Sequence, residues 1–291
     1  MKVFQALLRT QKIACLFALL LAWPPAAVFG AAAQTPMRIL YPSFSGSWGT
    51  TWIAKEAGYF LDERLDVELI RVGGSSRMVA AMIGGNASII QAGAIAAVTA
   101  NTAGSDVVII GATGAVSSFR LMARPEIKNV SDLKGKRAGI TTFGSTSDQV
   151  IRIALKKSNL EPNKDVALLS LGAQPEVFAA LQSGAVQAGA FTFPLYAAAA
   201  KLGMRELINF GALGVEDITG TVITTRGFIA KERDTALRFL RAFTRGMQRY
   251  RTDKDFSKKC WANMARSPTR KRWKEPGRTT RRRYKRLRGR R

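Results

Sequence analysis

The sequence predicts an α/β fold of two similar lobes, each a mainly parallel sheet flanked by helices, with a ligand cleft between the lobes. Three observations lead to this prediction: an internal repeat, an alternation of short apolar runs with helical stretches, and a polar turn after the first strand of each half. Apolar runs that alternate with helical stretches are typical of βαβ units and of a parallel sheet.

The internal repeat appears when the chain is compared with itself. A shift of 99 residues places Arg38 on Arg137 and Gly85 on Gly184 without a gap. Identities are few, but both halves give strand, turn, helix, strand, glycine turn, helix, glycine stop and strand in the same order. A repeat of this length predicts two structural units of the same design.

The elements follow one another in the same way in each half. In the first half they are RILYPSF, SGSWG, TTWIAKEAGYF, LDVELIRV, GGSS, RMVAAMIGG and ASIIQAG. In the second half they are RAGITTF, GSTS, DQVIRIALKKSNL, DVALLSL, GAQP, EVFAALQSG and VQAGAFT. Gly85 and Gly184 stand where a helix gives way to a strand, a position that favours positive φ and therefore glycine.

A polar turn follows the first strand of each half, at Ser45–Trp48 and at Gly144–Thr146. Ligands of open α/β sheets lie outside the carboxyl ends of the strands, and a helix N-terminus there offers unpaired N–H groups. Two such turns facing each other predict a small ligand between the lobes. An ordinary capped connection from strand to helix is the competing interpretation. Neither turn has the spacing of a P-loop or of a dinucleotide site.

The composition argues against catalysis. The sequence contains no histidine, and its two cysteines are Cys15 and Cys260. Histidine acid–base chemistry, histidine-oriented nucleophiles and nearly all common transition-metal sites are therefore excluded. We expect no catalytic residue, no metal and no cofactor, and predict that the protein is not an enzyme.

Residues 1–33 have the order of a secretory signal peptide. Basic residues precede an apolar core from Ile13 to Trp23, and small residues follow up to Ala33. The apolar core is too short to span a bilayer comfortably, and no later segment has about 18 uninterrupted apolar residues. We expect cleavage near Ala33 and a periplasmic protein whose one remaining cysteine cannot form an intrachain disulfide.

The net charge of +25 is concentrated at the C-terminus, where sixteen Lys and Arg residues stand against one Glu in residues 257–291. With almost no aliphatic residues, this segment is predicted to be a disordered basic tail. It could be a solvated extension, a segment that binds polyanions, or the product of translation in a wrong frame. The abrupt change of composition near Lys258–Cys260 favours the wrong frame. We expect no specific nucleic-acid partner.

Three stretches resemble periplasmic solute-binding proteins of ABC importers: WIAKEAGYFLDERLDVELIRVGGSSRMVAAMIGG, VSDLKGKRAGI and PEVFAALQSGAVQAGAFTFPLYAAAAKLGMREL. They are most similar to the nitrate/sulfonate/taurine type, which includes the domain shared with thiamine-pyrimidine synthases. The resemblance covers residues 37–255. It implies the two-lobe type II periplasmic-binding-protein fold, with crossovers between the lobes near residues 115–124 and 219–225.

The resemblance also implies a division of the chain. It gives a signal peptide (1–33), the N-terminal part of lobe 1 (34–118), lobe 2 (119–221), an incomplete return to lobe 1 (222–256) and the basic tail (257–291). The chain departs from the family pattern at Ser88 and Gln187, where the family often has Asp, so we expect local effects on turns there. It departs again where the family continues with further C-terminal helices.

The ligand loops of the family carry over onto eleven candidate binding residues of this sequence. These are Ser45, Gly46, Ser47, Trp48, Gln91, Gly93, Gly144, Ser145, Thr146, Phe193 and Pro194. Ser145 and Thr146 are the leading candidates, because the start of their helix supplies N–H donors whatever the hydroxyls do. Trp48 could form an aromatic wall against a ligand or simply pack a helix on the sheet.

The implied function is that of the extracytoplasmic binding component of an ABC importer. Such a protein captures a small anionic or polar solute (a sulfonate, nitrate, taurine or a carboxylate) by lobe closure and delivers it to a permease in the inner membrane. We expect a monomer. Two alternatives stay open: an enzyme on the same fold related to thiamine-pyrimidine synthesis, and polyanion binding through the basic tail.

Overall fold

The computed structural model describes residues 33–266, without the side chains of residues 216–219 and 265–266. The predicted signal peptide, apart from its last residue, and residues 267–291 lie outside this range. No helix within the described range is long and apolar enough to cross a membrane.

Lobe 1 is built on a five-stranded sheet in the order β2-β1-β3-β12-β4. Its strands are β1 (Thr35–Tyr41), β2 (Leu65–Arg71), β3 (Ile89–Ala92), β4 (Val107–Gly111) and β12 (Thr221–Thr225). Strand β1 runs parallel to β2 and β3, whereas β12 runs antiparallel to β3 and β4.

Lobe 2 repeats this plan in the order β10-β6-β9-β7-β8. Its strands are β6 (Arg120–Ala123), β7 (Arg137–Ile140), β8 (Ala167–Ser170), β9 (Ala188–Phe191) and β10 (Arg205–Asn209). Strand β7 is parallel to β8 and β9, and β6 is antiparallel to β9 and β10. A two-stranded antiparallel ribbon, β5 (Gly114–Val116) with β11 (Glu216–Thr219), lies where the chain passes between the lobes.

The α/β prediction with two lobes is confirmed, but the sheets are mixed rather than mainly parallel. Each sheet has two parallel and two antiparallel pairings. The reason is the crossing between lobes: β6 and β12 are the strands that directly follow a crossover, and each enters its sheet in the reverse direction. The sequence pattern of either half contains no information about this direction.

Helices flank both sheets. In chain order they are α1 (Gly49–Glu56), α2 (Tyr59–Asp62), α3 (Ser75–Ile83), α4 (Ala94–Thr102), α5 (Thr146–Lys157), α6 (Gln174–Ser183), α7 (Leu195–Lys201), α8 (Arg226–Lys231), α9 (Arg233–Thr252) and α10 (Lys254–Arg266), with 3₁₀ turns at Gly46–Trp48 and Val130–Leu133. Helices α5, α6 and α7 belong to lobe 2, and the other seven belong to lobe 1.

Side chains alternate between the two faces of each sheet along its strands. Both faces are buried because helices pack on each of them. In lobe 1, Ile39 and Ile89 pack on one face with Phe239 and Phe243 of α9, and Leu40 and Ile90 pack on the other face with α3 and α4. Lobe 2 has the same two-sided core.

The two positions that depart from the family pattern serve local turns. The Gln187 amide donates to the Gly184 carbonyl (2.9 Å) and accepts the Arg137 N–H (3.1 Å). The Ser88 carbonyl accepts the Thr224 hydroxyl (2.8 Å). The Gln187 side chain therefore holds the turn before β9, whereas Ser88 contributes only its backbone carbonyl to this contact.

The predicted start of the basic tail at Ser257 is wrong. Helix α10 runs on to Arg266, and Cys260 is only 3% exposed. One side of α10 packs against the end of β1, the turn after it and α1, in a cluster of Tyr41, Phe44, Trp48, Trp52, Ile53, Leu69, Phe256, Cys260, Trp261 and Met264. The Trp261 indole N–H also donates to the Phe44 carbonyl (3.1 Å). Residues 257–266 thus complete lobe 1, because apolar side chains recur on one side of a highly charged helix.

Candidate ligand-binding cleft

A cleft lies where the two lobes meet, with about 530 Å³ of empty space that is partly open to solvent. Lobe 1 lines it with Pro42, Ser43, Ser47, Trp48, Gly74, Ser75 and Gly93, and the rest of the wall is Ser118, Phe119, Thr141, Ser145, Thr146, Ser147, Gln174 and Thr192. All of these residues are uncharged. The wall within the described part of the chain is therefore made of hydroxyls, one amide, backbone and apolar side chains.

Five helices begin at the cleft. Trp48, Gly74, Gly93 and Ser145 are the N-caps of α1, α3, α4 and α5, and Gln174 is the first residue of α6. The first N–H groups of a helix have no partner within it, and the helix dipole places roughly half a positive charge there. Five such ends create a positive potential in the cleft without any cationic side chain.

Three hydroxyls form a triangle at the start of α5. Thr141 Oγ1 lies 3.0 Å from Ser145 Oγ and 2.9 Å from Ser147 Oγ, and the two serine oxygens are 2.9 Å apart. Ser147 Oγ also accepts the Thr141 N–H (3.0 Å), and Ser145 Oγ accepts the Asp148 N–H (3.5 Å) as a helix cap. Because hydroxyl protons rotate, these groups can donate to each other or to a ligand oxygen.

The acidic residue nearest to this turn in sequence has its carboxylate engaged elsewhere. Asp148 is 5% exposed, and its Oδ2 accepts the Gly144 N–H (2.9 Å) while its Oδ1 lies 2.7 Å from Arg152 Nε. Both oxygens thus have partners that are not part of the cleft wall. Arg152 thus balances the charge of the Asp148 carboxylate.

The lobes touch along one side of the cleft. The Ser76 hydroxyl donates to the Phe143 carbonyl of lobe 2 (2.7 Å), and Ser47 Oγ lies 3.3 Å from Ser118 Oγ of the segment that crosses between the lobes. Gly93 fits directly against lobe 2, because a Cβ at this position would overlap Thr146 Oγ1. The structure therefore shows the lobes in direct contact beside the cleft.

A further contact joins the lobes beside the cleft. The Trp261 ring of α10 packs against Phe193, with ring centroids 6.1 Å apart. Phe193 directly follows Thr192, which lines the cleft. Helix α10 thus reaches lobe 2 at the edge of the site.

The structure places five of the eleven candidate residues in the cleft wall: Ser47, Trp48, Gly93, Ser145 and Thr146. Trp48 is held by its indole N–H, which donates to Ser43 Oγ (3.1 Å), and it presents an apolar face together with Phe119. The wall thus combines hydroxyl and N–H donors with an aromatic surface.

The remaining candidates lie outside the wall and have other contacts. Ser45 Oγ accepts the Ser47 N–H (3.4 Å), and the Gly46 carbonyl accepts the Tyr250 hydroxyl (2.9 Å). Gly144 faces Thr99 of α4, while Phe193 is 49% exposed and precedes Pro194, the N-cap of α7. These residues shape or support the turns around the cleft.

Gln91 is buried in the core of lobe 1. It is 0% exposed, and neither atom of its amide has a partner among the described residues. Gln91 shares a strand face with Ile89, which packs beneath α1 and α9, whereas Ile90 and Ala92 point to the opposite face. Gln91 lies within β3 and is not among the residues that line the cleft.

Sequence reasoning missed ten residues of the wall: Pro42, Ser43, Gly74, Ser75, Ser118, Phe119, Thr141, Ser147, Gln174 and Thr192. The internal repeat could have identified some of these residues. The shift that relates the two halves places Ser75 on Gln174 and Gly93 on Thr192. The turns after the second and third strands of each half therefore contribute to the site along with the first turn.

Comparisons with known proteins agree with this architecture. The family model described as NMT1/THI5 like matches residues 48–255. The alkanesulfonate-binding protein SsuA from Xanthomonas axonopodis pv. citri, solved with MOPS bound, is 23% identical with a TM-score of 0.69, covering 81% of each chain. The periplasmic aliphatic sulphonate binding protein SsuA from Escherichia coli is 23% identical with a TM-score of 0.63, covering 80% of this chain and 79% of that one. The periplasmic nitrate-binding protein NrtA from Synechocystis PCC 6803 is 16% identical with a TM-score of 0.63, covering 74% and 62%.

Proposed function

Because the chain belongs to the NMT1/THI5-like family, we propose that it is the periplasmic solute-binding component of an ABC importer. It captures a small anion by closing its two lobes and delivers the anion to a permease in the inner membrane. It acts as a monomer and performs no chemical step on its ligand.

The observation that carries this proposal is the convergence of five helix N-termini on an uncharged wall. An anion gains from unpaired N–H donors and from the positive ends of the dipoles, and it gains more when lobe closure reduces the contact of the cleft with water. A cation would meet the same potential with no carboxylate in the wall to offset it. The electrostatics of the cleft therefore favour an anion.

The aromatic side of the wall supports an organic anion. Trp48 and Phe119 line the cleft and offer apolar surface, while the hydroxyl triangle and the helix starts suit oxygen acceptors. An oxyanion with a small apolar body, such as an alkanesulfonate, uses both kinds of surface. The likeness to sulfonate- and nitrate-binding proteins supports the same class of ligand.

An enzymatic role on the same fold finds less support in the wall. The hydroxyls of Thr141, Ser145 and Ser147 hydrogen-bond to one another rather than to a general base. Cys260 lies in the apolar cluster beneath α10, where burial raises the pKa of its thiol to about 12. A thiol of that pKa in that position is a packing residue and not a nucleophile.

Calorimetry with matched ligands tests the proposal. Ethanesulfonate and ethyl methyl sulfone have similar shapes and both present acceptor oxygens, but only ethanesulfonate is charged. We expect ethanesulfonate to bind at least about 100-fold more tightly, since hydrogen bonds to a charged group are each worth about 1.5–3 kcal/mol. Nitrate and acetate extend the comparison to smaller anions. Equal affinity for the sulfonate and the sulfone would show that the cleft does not select for charge.

The affinity for a permanently charged anion should not vary with pH. No titratable side chain lines the cleft in the described part of the chain, so the affinity for ethanesulfonate should stay constant between about pH 6 and 9. Ethyl phosphate is the control, because the dianion of a phosphate monoester takes up a proton near pH 6, and its affinity should fall as the pH is lowered towards that value. An ethanesulfonate affinity that changes tenfold over this range would reveal a titrating group in the site.

A further inference from the structure

Gln174 occupies a particular place in the cleft. It is the first residue of α6, it lines the wall, and it is only 8% exposed. Its Oε1 accepts two hydrogen bonds from Thr192, one from the backbone N–H (3.0 Å) and one from the hydroxyl (3.2 Å). The oxygen side of the amide is therefore fully engaged by the protein.

These contacts fix the orientation of the amide. The backbone N–H of Thr192 can only donate, so the atom that faces it must be the amide oxygen. The amide nitrogen, Nε2, then lies on the other side of the group with two N–H donors. Among the described residues none accepts a hydrogen bond from Nε2, so its N–H donors are left for a ligand in the cleft.

We infer that Gln174 determines the specificity of the cleft by donating from its oriented amide to an acceptor oxygen of the ligand. The inference rests on the proposed function in that it requires a ligand between the lobes. Gln174 differs from the serine and threonine side chains of the wall, because a hydroxyl can donate or accept, whereas Nε2 can only donate. A ligand that presents an ammonium group at this point is rejected, because an ammonium can only donate.

Gln174→Glu reverses this polarity with little change in shape. One oxygen of the new carboxylate can accept from Thr192 as Oε1 does now. The other oxygen takes the place of Nε2 and brings a negative charge where a donor stood. An anion in the cleft would then face repulsion in place of a hydrogen bond.

The experiment measures binding of ethanesulfonate and ethyl methyl sulfone to the wild type, Gln174→Glu and Gln174→Met by calorimetry. We expect Gln174→Met to weaken ethanesulfonate binding about 10- to 100-fold and Gln174→Glu to weaken it by more than about 100-fold. Gln182→Glu is the matched control, because it makes the same change at an exposed position of the same helix outside the wall. It should bind as the wild type does. Thermal unfolding of each variant shows that it is folded, and Gln174→Met provides the test if Gln174→Glu does not fold.

The outcomes separate the inference from the proposed function. If both Gln174 variants bind ethanesulfonate as tightly as the wild type does, the inference is overturned while anion binding stands. If the wild type binds the sulfone as tightly as the sulfonate, selection for anions fails. The inference still holds in that case provided that Gln174→Met weakens sulfone binding, because the sulfone also presents acceptor oxygens.

Discussion

Gly93→Ala should lower the affinity for ethanesulfonate by about 100-fold while leaving each lobe folded. Gly93 has φ −77° and ψ 146°, a conformation that alanine adopts without strain. The added Cβ would overlap Thr146 Oγ1, which belongs to the other lobe. Overpacking of this kind costs about 1–3 kcal/mol, and here it destabilises only the state in which the lobes are closed. Affinity then falls with the fraction of molecules that can close.

Two further variants make this prediction specific. Gly111→Ala adds a methyl group in lobe 1 at ordinary contact distance, 3.7 Å from Leu240 Cδ2, and should bind like the wild type. Gly93→Ala combined with Thr146→Ala removes the overlapping oxygen and should bind better than Gly93→Ala alone. Calorimetry gives the affinities, and thermal unfolding shows whether stability changes. If Gly93→Ala binds ethanesulfonate as tightly as the wild type does, closure does not bring Gly93 and Thr146 together.

The architecture could be predicted because its determinants are local. Each half carries its own succession of strand, turn and helix, and the equivalent turns at Ser45–Trp48 and Gly144–Thr146 follow the first strand of each lobe. The antiparallel strands β6 and β12 could not be predicted in the same way. Their direction depends on how the chain crosses between the lobes, which no local pattern records.

The cleft wall was only partly predictable because it is assembled from turns far apart in the sequence. Gln174 and Thr192 meet through hydrogen bonds across eighteen residues, although the repeat relates them to Ser75 and Gly93. Gln91 shows the opposite difficulty. It lies two residues before Gly93, but it is inside strand β3 and fully buried, whereas Gly93 follows the end of the strand and lines the cleft as a helix N-cap.

The C-terminal helix was missed because charge concealed its periodicity. Phe256, Cys260 and Met264 recur every fourth residue, which is the spacing of one helical face. Between them lie Lys258 and Lys259, both exposed, so that a count of charged residues suggests a tail. Composition describes a segment as a whole, whereas packing depends on which side of the helix each residue occupies.

A chain that ends at Asp253 should have a lower free energy of unfolding in urea than a chain that ends at Arg266. The expected difference is about 4 kcal/mol or more. Removing α10 uncovers Trp48, Trp52 and Ile53 and deletes the apolar side chains that cover them. Burial of each large apolar side chain contributes about 1.5–3 kcal/mol, from which the entropy of ordering the helix must be subtracted. The shorter chain should also bind ethanesulfonate more weakly, because Trp48 lines the cleft.

A pair of substitutions in the chain ending at Arg266 tests the same packing without deleting anything. Cys260→Asp places a charge among apolar side chains, where burial already raises the pKa of the thiol to about 12, and should cost about 3 kcal/mol or more. Lys259→Asp, on the exposed side of the same helix, should change the free energy of unfolding by about 0.5 kcal/mol or less. Equal effects of the two substitutions would mean that α10 does not pack on lobe 1. If only Cys260→Asp lowers the free energy of unfolding strongly, α10 packs on lobe 1, which carries Trp48. The apolar side of this basic helix then supports the cleft.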